Sequence, residues 1–129
     1  MPLSMFRVIA IAVLLISTSA IATCPASPAD QASECLRGAI QKANKQLVLA
    51  YQKLIPEAAP NDPDEKGQAT GKKLLAEAHK SWLVFRKNQC AFEGFHYGGV
   101  GIYKSVAEYQ CVLRLTTKRA AEYKQLAVS

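Results

Sequence analysis

The sequence predicts an all-α domain, a small three-helix up-down-up bundle stapled by two disulfides and preceded by a cleaved signal peptide. Three observations carry this. Apolar residues recur at steps of three and four in three long stretches, and two segments rich in proline or glycine separate those stretches. All four cysteines lie beyond an N-terminal apolar run that has the layout of an export signal.

Arg7 is the one charge before the apolar run Val8 to Ile16, and small residues follow from Ser17 to Thr23. Ala20-Ile21-Ala22 fits a signal-peptidase site, so cleavage is placed after Ala22, giving a signal at 1–22 and a helical domain at 23–129. The run is about half the roughly 20 residues a spanning helix needs, so no stable membrane span is expected after cleavage. Cys24 is preceded by Ile21, Ala22 and Thr23, with no leucine in the usual place of a lipidation signal. It is read as a disulfide partner rather than a lipid anchor, and the localisation as periplasmic or secreted.

The mature chain keeps a formal charge of +5, because Arg7 is the only charged residue removed. Its lysines, among them Lys42, Lys53, Lys80, Lys87 and Lys118, are scattered like those of a solvated helix face. That pattern tolerates anionic envelope polymers or lipid head groups as neighbours and excludes nucleic acid, which calls for a dense basic stripe.

The first helix is expected over residues 29–55. Ser27-Pro28 forms its entry, and Cys35, Ala39, Ala43, Leu47, Tyr51 and Leu54 form its apolar stripe. Pro56, Pro60 and Pro63 then forbid continuation, in a loop that holds the acids Glu57, Asp62, Asp64 and Glu65. A second helix is expected from about Asp64 to Phe92, burying Leu74, Leu75, Ala78, Trp82, Phe85 and either Gln89 or Cys90. Gly94 to Gly101 contains four glycines around Phe95, His96 and Tyr97 and reads as a turn or exposed loop. The third helix is placed from Ser105, with Glu108 completing a capping box. Val106, Tyr109, Leu113, Thr116, Ala120, Tyr123 and Leu126 or Ala127 mark its face.

Four cysteines in an exported domain of this size read as two structural disulfides, and their spacing lacks the paired Cys-x-x-Cys of zinc or redox sites. A Cys90–Cys111 bridge would close the glycine segment of an antiparallel hairpin. Cys24–Cys35 becomes feasible if Pro25 and Pro28 fold the chain back, and the two other pairings stay open.

The residues offer little for catalysis. His79 and His96 are the only histidines, and neither belongs to a nucleophile–base pattern or a metal-ligand spacing. His79, among Glu77, Lys80 and Ser81, reads as a surface residue. Glu77 and Glu93 stand about 24 Å apart on one helix, too far for paired-carboxylate chemistry. The protein is expected to be no enzyme and to need no cofactor or metal. Trp82 reads as the anchor between the hairpin helices, with Arg86 and Arg119 either reaching acids on neighbouring helices or flanking the hairpin surface.

The pattern Leu75-x-x-Ala78-x-x-x-Trp82-x-x-x-Arg86-x-x-x-Cys90, the break at Gly98-Gly99, and Cys111-x-x-x-Leu115-Thr116-x-x-Arg119-Ala120 resemble the lysozyme-inhibitor LprI-type domain. Cys24, Cys35 and Leu47-x-x-x-Tyr51-x-x-Leu54 are similar to its first half. The resemblance implies a small, helical, exported bacterial protein that inhibits lysozyme or another wall hydrolase. It implies no catalytic residue, and Tyr51, Trp82, Arg86, Thr116 and Arg119 are read as positions that define the fold. Lysozymes are typically basic, so a +5 inhibitor needs a local feature to engage one. The acidic loop (Glu57, Asp62, Asp64, Glu65) is the first candidate and the His96 loop the second. Two other readings stand beside this one: a periplasmic binding or structural module for anionic envelope components, and an immunity-type protein against a secreted toxin.

Overall fold

A computed structural model describes residues 24–58 and 65–128, with the backbone alone for 65–69. The signal-peptide reading, its cleavage site, and the acids Asp62 and Asp64 lie outside the described residues. Three helices follow in order: α1 (Ala29–Leu54), α2 (Glu65–Glu93) and α3 (Gly101–Ala127). A 3₁₀ turn (Ile55–Glu57) follows α1, and a π-helical turn (Gly94–Gly98) prolongs α2.

Helix α1 begins after Pro28, whose extended backbone serves as the cap while its carbonyl accepts the Ala32 amide at 3.0 Å. Ser27, expected as the cap, is one residue too early. Asp30 in the first turn and Lys53 in the last suit the helix dipole. The last α-helical bond runs from the Ile55 amide to Tyr51. Pro56 cannot donate the next one, and the chain tightens into the 3₁₀ turn.

Two contacts fix the topology. Asn44, Arg86 and Thr116 meet at one level of the bundle, and Tyr51, His79 and Tyr123 at another. Between these levels the numbering rises by seven on α1 and α3 and falls by seven on α2. Seven residues make about two helical turns, so α1 and α3 run in parallel and α2 runs against both, as an up-down-up bundle requires. The α1–α3 pair is the most extensive interface. Its core gathers Leu47, Ala50, Leu54, Ala120 and Tyr123, flanked by Tyr51, Leu75, Trp82 and Ala127.

Burial on α1 centres on Ala32, Leu36, Leu47, Ala50 and Leu54, a little to one side of the expected stripe, because α1 leans mainly on α3. On α2 the expected face is met at Leu75, Trp82, Gln89 and Cys90 and missed elsewhere. Leu74, Ala78 and Phe85 face outward, with Leu74 60 % exposed, while Leu75, His79, Trp82, Arg86, Gln89 and Cys90 face inward. Hydrophobicity alone misplaced the stripe because half of the inward positions are polar and gain their partners only inside the bundle.

The disulfides pair Cys24 with Cys35 and Cys90 with Cys111. Cys90 and Cys111 are fully buried and bind α2 to α3 between two and three helical turns from the chain reversal at Gly99 and Gly101. The glycine segment is helical rather than a loop. Gly94 is buried, and a Cβ there would lie 2.9 Å from Glu108 Cβ. A Cβ at Gly98 would strike the backbone of Tyr103 and Lys104. These two glycines let the turn press directly on α3. Gly99 (φ 72°) and Gly101 (φ 65°) then reverse the chain in the left-handed region. The reversal is so short that α3 starts at Gly101, four residues before the expected Ser105. Ser105 sits inside the helix, and Val100 is the cap residue.

Candidate functional site

Two features stand apart from ordinary packing. The first is a polar and aromatic spine between the helices. Thr116, the one fully buried polar residue in the described core, donates its hydroxyl to the Val112 carbonyl at 2.6 Å and accepts from Arg86 Nη1 at 2.7 Å. The same Nη1 donates to Asn44 Oδ1 at 2.9 Å, so its two protons tie α2 to α1 and α3 together. The Arg86 guanidinium also lies 5.1 Å from the Trp82 ring centre. Desolvation lowers the Arg86 pKa from its ordinary value, and the group remains charged.

Two turns away, His79 Nδ1 shares a 2.9 Å hydrogen bond with the Tyr123 hydroxyl, and its ring stacks on Tyr51 at 4.3 Å. Burial lowers the His79 pKa, and the charges of Arg119 and Arg86 lower it further. The neutral ring is therefore the form this environment favours. Arg119 lies 5.7 Å from the Trp82 ring and 4.7 Å from the Tyr123 ring and pairs with Glu122 on its own helix at 3.1 Å. Its Nε is buried without a hydrogen-bond partner among the described residues, and the two aromatic faces offset that loss.

The spine corrects two expectations. His79 is not a surface residue; it is half-buried and wedged among aromatic rings. Among the described residues Arg86 and Arg119 reach no acid on a neighbouring helix: Arg86 is held by neutral oxygens and Arg119 by its own helix. Trp82 is half-buried between the two guanidinium groups. Asn44 went unnoticed in the sequence, although a signal was present. Asn44/Tyr51, His79/Arg86 and Thr116/Tyr123 each repeat at seven residues, which places polar groups at matched levels of three helices.

The second feature is the free end of the α2–α3 hairpin. His96 stacks on Phe92 at 5.5 Å and meets Tyr97 edge-on at 4.7 Å, and all three are exposed. Behind them Glu93 receives Arg114 at 2.7 Å and Gln89 at 3.0 Å, and these two hydrogen bonds hold its carboxyl below the ordinary range. Of the acidic-loop residues, Glu57 is exposed in the 3₁₀ turn and Glu65 opens α2. Nothing brings these acids to the His96 end, which lies at the opposite pole of the bundle. Among the described residues no three His, Cys, Asp or Glu side chains gather as a metal site, and no helix is long and apolar enough to cross a membrane.

The fold and its interior define a disulfide-stapled helical domain whose helices are registered by a polar–aromatic spine. The chain belongs to the lysozyme inhibitor LprI family, whose model matches residues 24–123. Those bounds run from the first cysteine to the last aromatic of the spine. The chain is also 30 % identical over 101 residues to an uncharacterized protein of Rhizobium meliloti (strain 1021), covering 78 % of this chain and 70 % of that one. No solved structure gives a significant match. Family membership and the two disulfides mark an extracytoplasmic protein.

Proposed function

We propose that the protein is an exported, non-catalytic inhibitor of lysozyme-type wall-degrading enzymes, released as residues 23–129 after cleavage at Ala22. The observation that carries this reading is the family match, which spans nearly the whole helical domain. A binding role also agrees with a domain whose charged and aromatic interior is spent on its own packing. Tyr51, Trp82, Arg86, Thr116 and Arg119 then set the fold, and the contact residues come from the ends of the bundle. One end carries Glu57 and the start of α2 at Glu65, which flank Asp62 and Asp64 in the sequence, and the other carries the hairpin with His96.

The experiment is to titrate the purified, oxidised mature domain against several lysozymes at physiological salt, following residual wall lysis and direct binding together. A saturable complex with dose-dependent loss of lysis is the expected result. Binding to none of them, with salt-sensitive binding to anionic wall polymers instead, would sink the inhibitor reading. It would favour the envelope module that the +5 charge supports. Because inhibitor and enzyme are both basic, their association should become faster, not slower, as salt is added.

A further inference from the structure

Among the described residues, the hairpin end gathers Phe92, Phe95, Tyr97 and Tyr103 out of the exposed Phe and Tyr side chains, with Phe85 the remaining one. Phe95, Tyr97, Val100 and Tyr103 are each at least two-thirds exposed. From Gly94 to Ala107 there is no Asp or Glu, and the one Lys or Arg is Lys104. The nearest acids are Glu93, which is bound to Arg114, and Glu108, whose Cβ lies beside Gly94. Apolar rings concentrated on one exposed end mark an interaction surface, since scattered exposure would not gather them there.

This end is also stiff. The buried Cys90–Cys111 bridge lies at its base, and the π-helical turn is pressed against α3 at Gly94 and Gly98. A preorganised surface loses little conformational entropy when it docks. Tyrosine and phenylalanine are among the side chains that anchor protein interfaces.

We propose that this convex aromatic end enters the glycan-binding cleft of the wall hydrolase, with Lys104 and His96 facing the acidic groups there. The inference rests on the inhibitor reading and deepens it by naming the inhibitory surface. Charge complementarity chooses the occupant. Glycoside hydrolases place two carboxyl groups about the scissile bond, and the tip presents aromatic faces and the Lys104 ammonium, with no carboxylate among residues 94–107. The local match offsets the long-range repulsion between two basic proteins. A lipid surface is the other natural host for aromatics beside a lysine. Recognition of anionic lipid, however, draws on clusters of about four to eight basic residues, and this end has one lysine.

The test uses the full oxidised mature protein with hen egg-white lysozyme and any other lysozyme that the wild type inhibits. Two variants are compared, Tyr97→Ser/Tyr103→Ser and Lys104→Glu, each checked for a native thermal melt. Loss of two interface anchors should weaken inhibition at least about 30-fold. Charge reversal at Lys104 should weaken it about tenfold or more. A chitotriose ligand of the cleft should compete with the wild type. If the wild type inhibits, yet natively folded variants inhibit within about twofold of it or chitotriose fails to compete, the tip assignment is overturned while the inhibitor reading stands. If the wild type binds no lysozyme, both fall together. Binding to phosphatidylglycerol vesicles that disappears in the tyrosine variant, without any hydrolase binding, would assign the tip to lipid and overturn the proposal.

Discussion

Replacing Thr116 by valine tests whether the spine or ordinary apolar packing registers the three helices. The two side chains are nearly the same size, and Thr116 is completely buried. A purely hydrophobic site would accept valine at no loss or with a gain. The structure predicts a loss, because valine removes the acceptor that receives Arg86 at 2.7 Å. A hydrogen bond to a charged group contributes about 1.5–3 kcal/mol. Asn44 and the Trp82 face remain to Arg86, so the expected cost is about 2 kcal/mol. The Val112 carbonyl loses only a secondary bond, as it sits within a helical ladder.

For a domain of roughly 100 residues, that cost lowers Tm by roughly 8 °C or more. Serine at the same position keeps the hydroxyl and gives up one methyl, about 1 kcal/mol. The order of stability should therefore be threonine, serine, valine, measured by denaturant titration and thermal melts of the oxidised domain. In an Arg86→Met background the valine penalty should shrink below about 0.5 kcal/mol, because the acceptor no longer has a charged donor to satisfy. Valine as stable as serine or more so, or an undiminished penalty without Arg86, would refute the reasoning.

Two further outcomes follow from the same structure. Exchanging Cys90 and Cys111 for serine together opens a link across 21 residues of sequence and should cost about 3 kcal/mol by the loop-entropy estimate; calorimetry of the variant beside the oxidised parent checks it. His79 should make stability fall with acidification. Its folded pKa is depressed by burial and by Arg119 and Arg86, so the unfolded chain binds the extra proton first. The His79 contribution is then complete above its unfolded value near 6.5 and is lost as pH falls below that toward the depressed folded value. Thermal melts from pH 7.5 to 5 should show this slope, and a His79→Gln variant should reduce it; an unchanged slope in that variant would remove His79 from the account.

Much of the architecture was legible in the residue order. Pro56 ends α1 by lacking the amide that the next helical bond needs, and Gly99 and Gly101 reverse the chain at positive φ. The helix bounds for α1 and α2 accordingly fall within a residue of expectation. The family motif was legible for a related reason: Trp82, Arg86, Cys90, Cys111, Thr116 and Arg119 keep helical spacing on two neighbouring elements.

What the tertiary structure decided was which face of α2 turns inward and what the glycines are for. A hydrophobic stripe identifies a buried face only when burial is apolar. Here His79, Arg86 and Gln89 go inside because Tyr123, Asn44, Thr116 and Glu93 are there to meet them. Those partners stand far away in sequence or on other helices, except Glu93, so single-helix periodicity placed Leu75, Trp82 and Gln89 or Cys90 on the inner face correctly, but added Leu74, Ala78 and Phe85 and left out His79 and Arg86. Likewise, glycine-rich sequence signals a break in general. Only the approach of α3 to Gly94 and Gly98 turned that segment into a rigid π-helical tip. The exposed aromatic end, the surface on which the proposed inhibition rests, exists because two helices were brought within touching distance there.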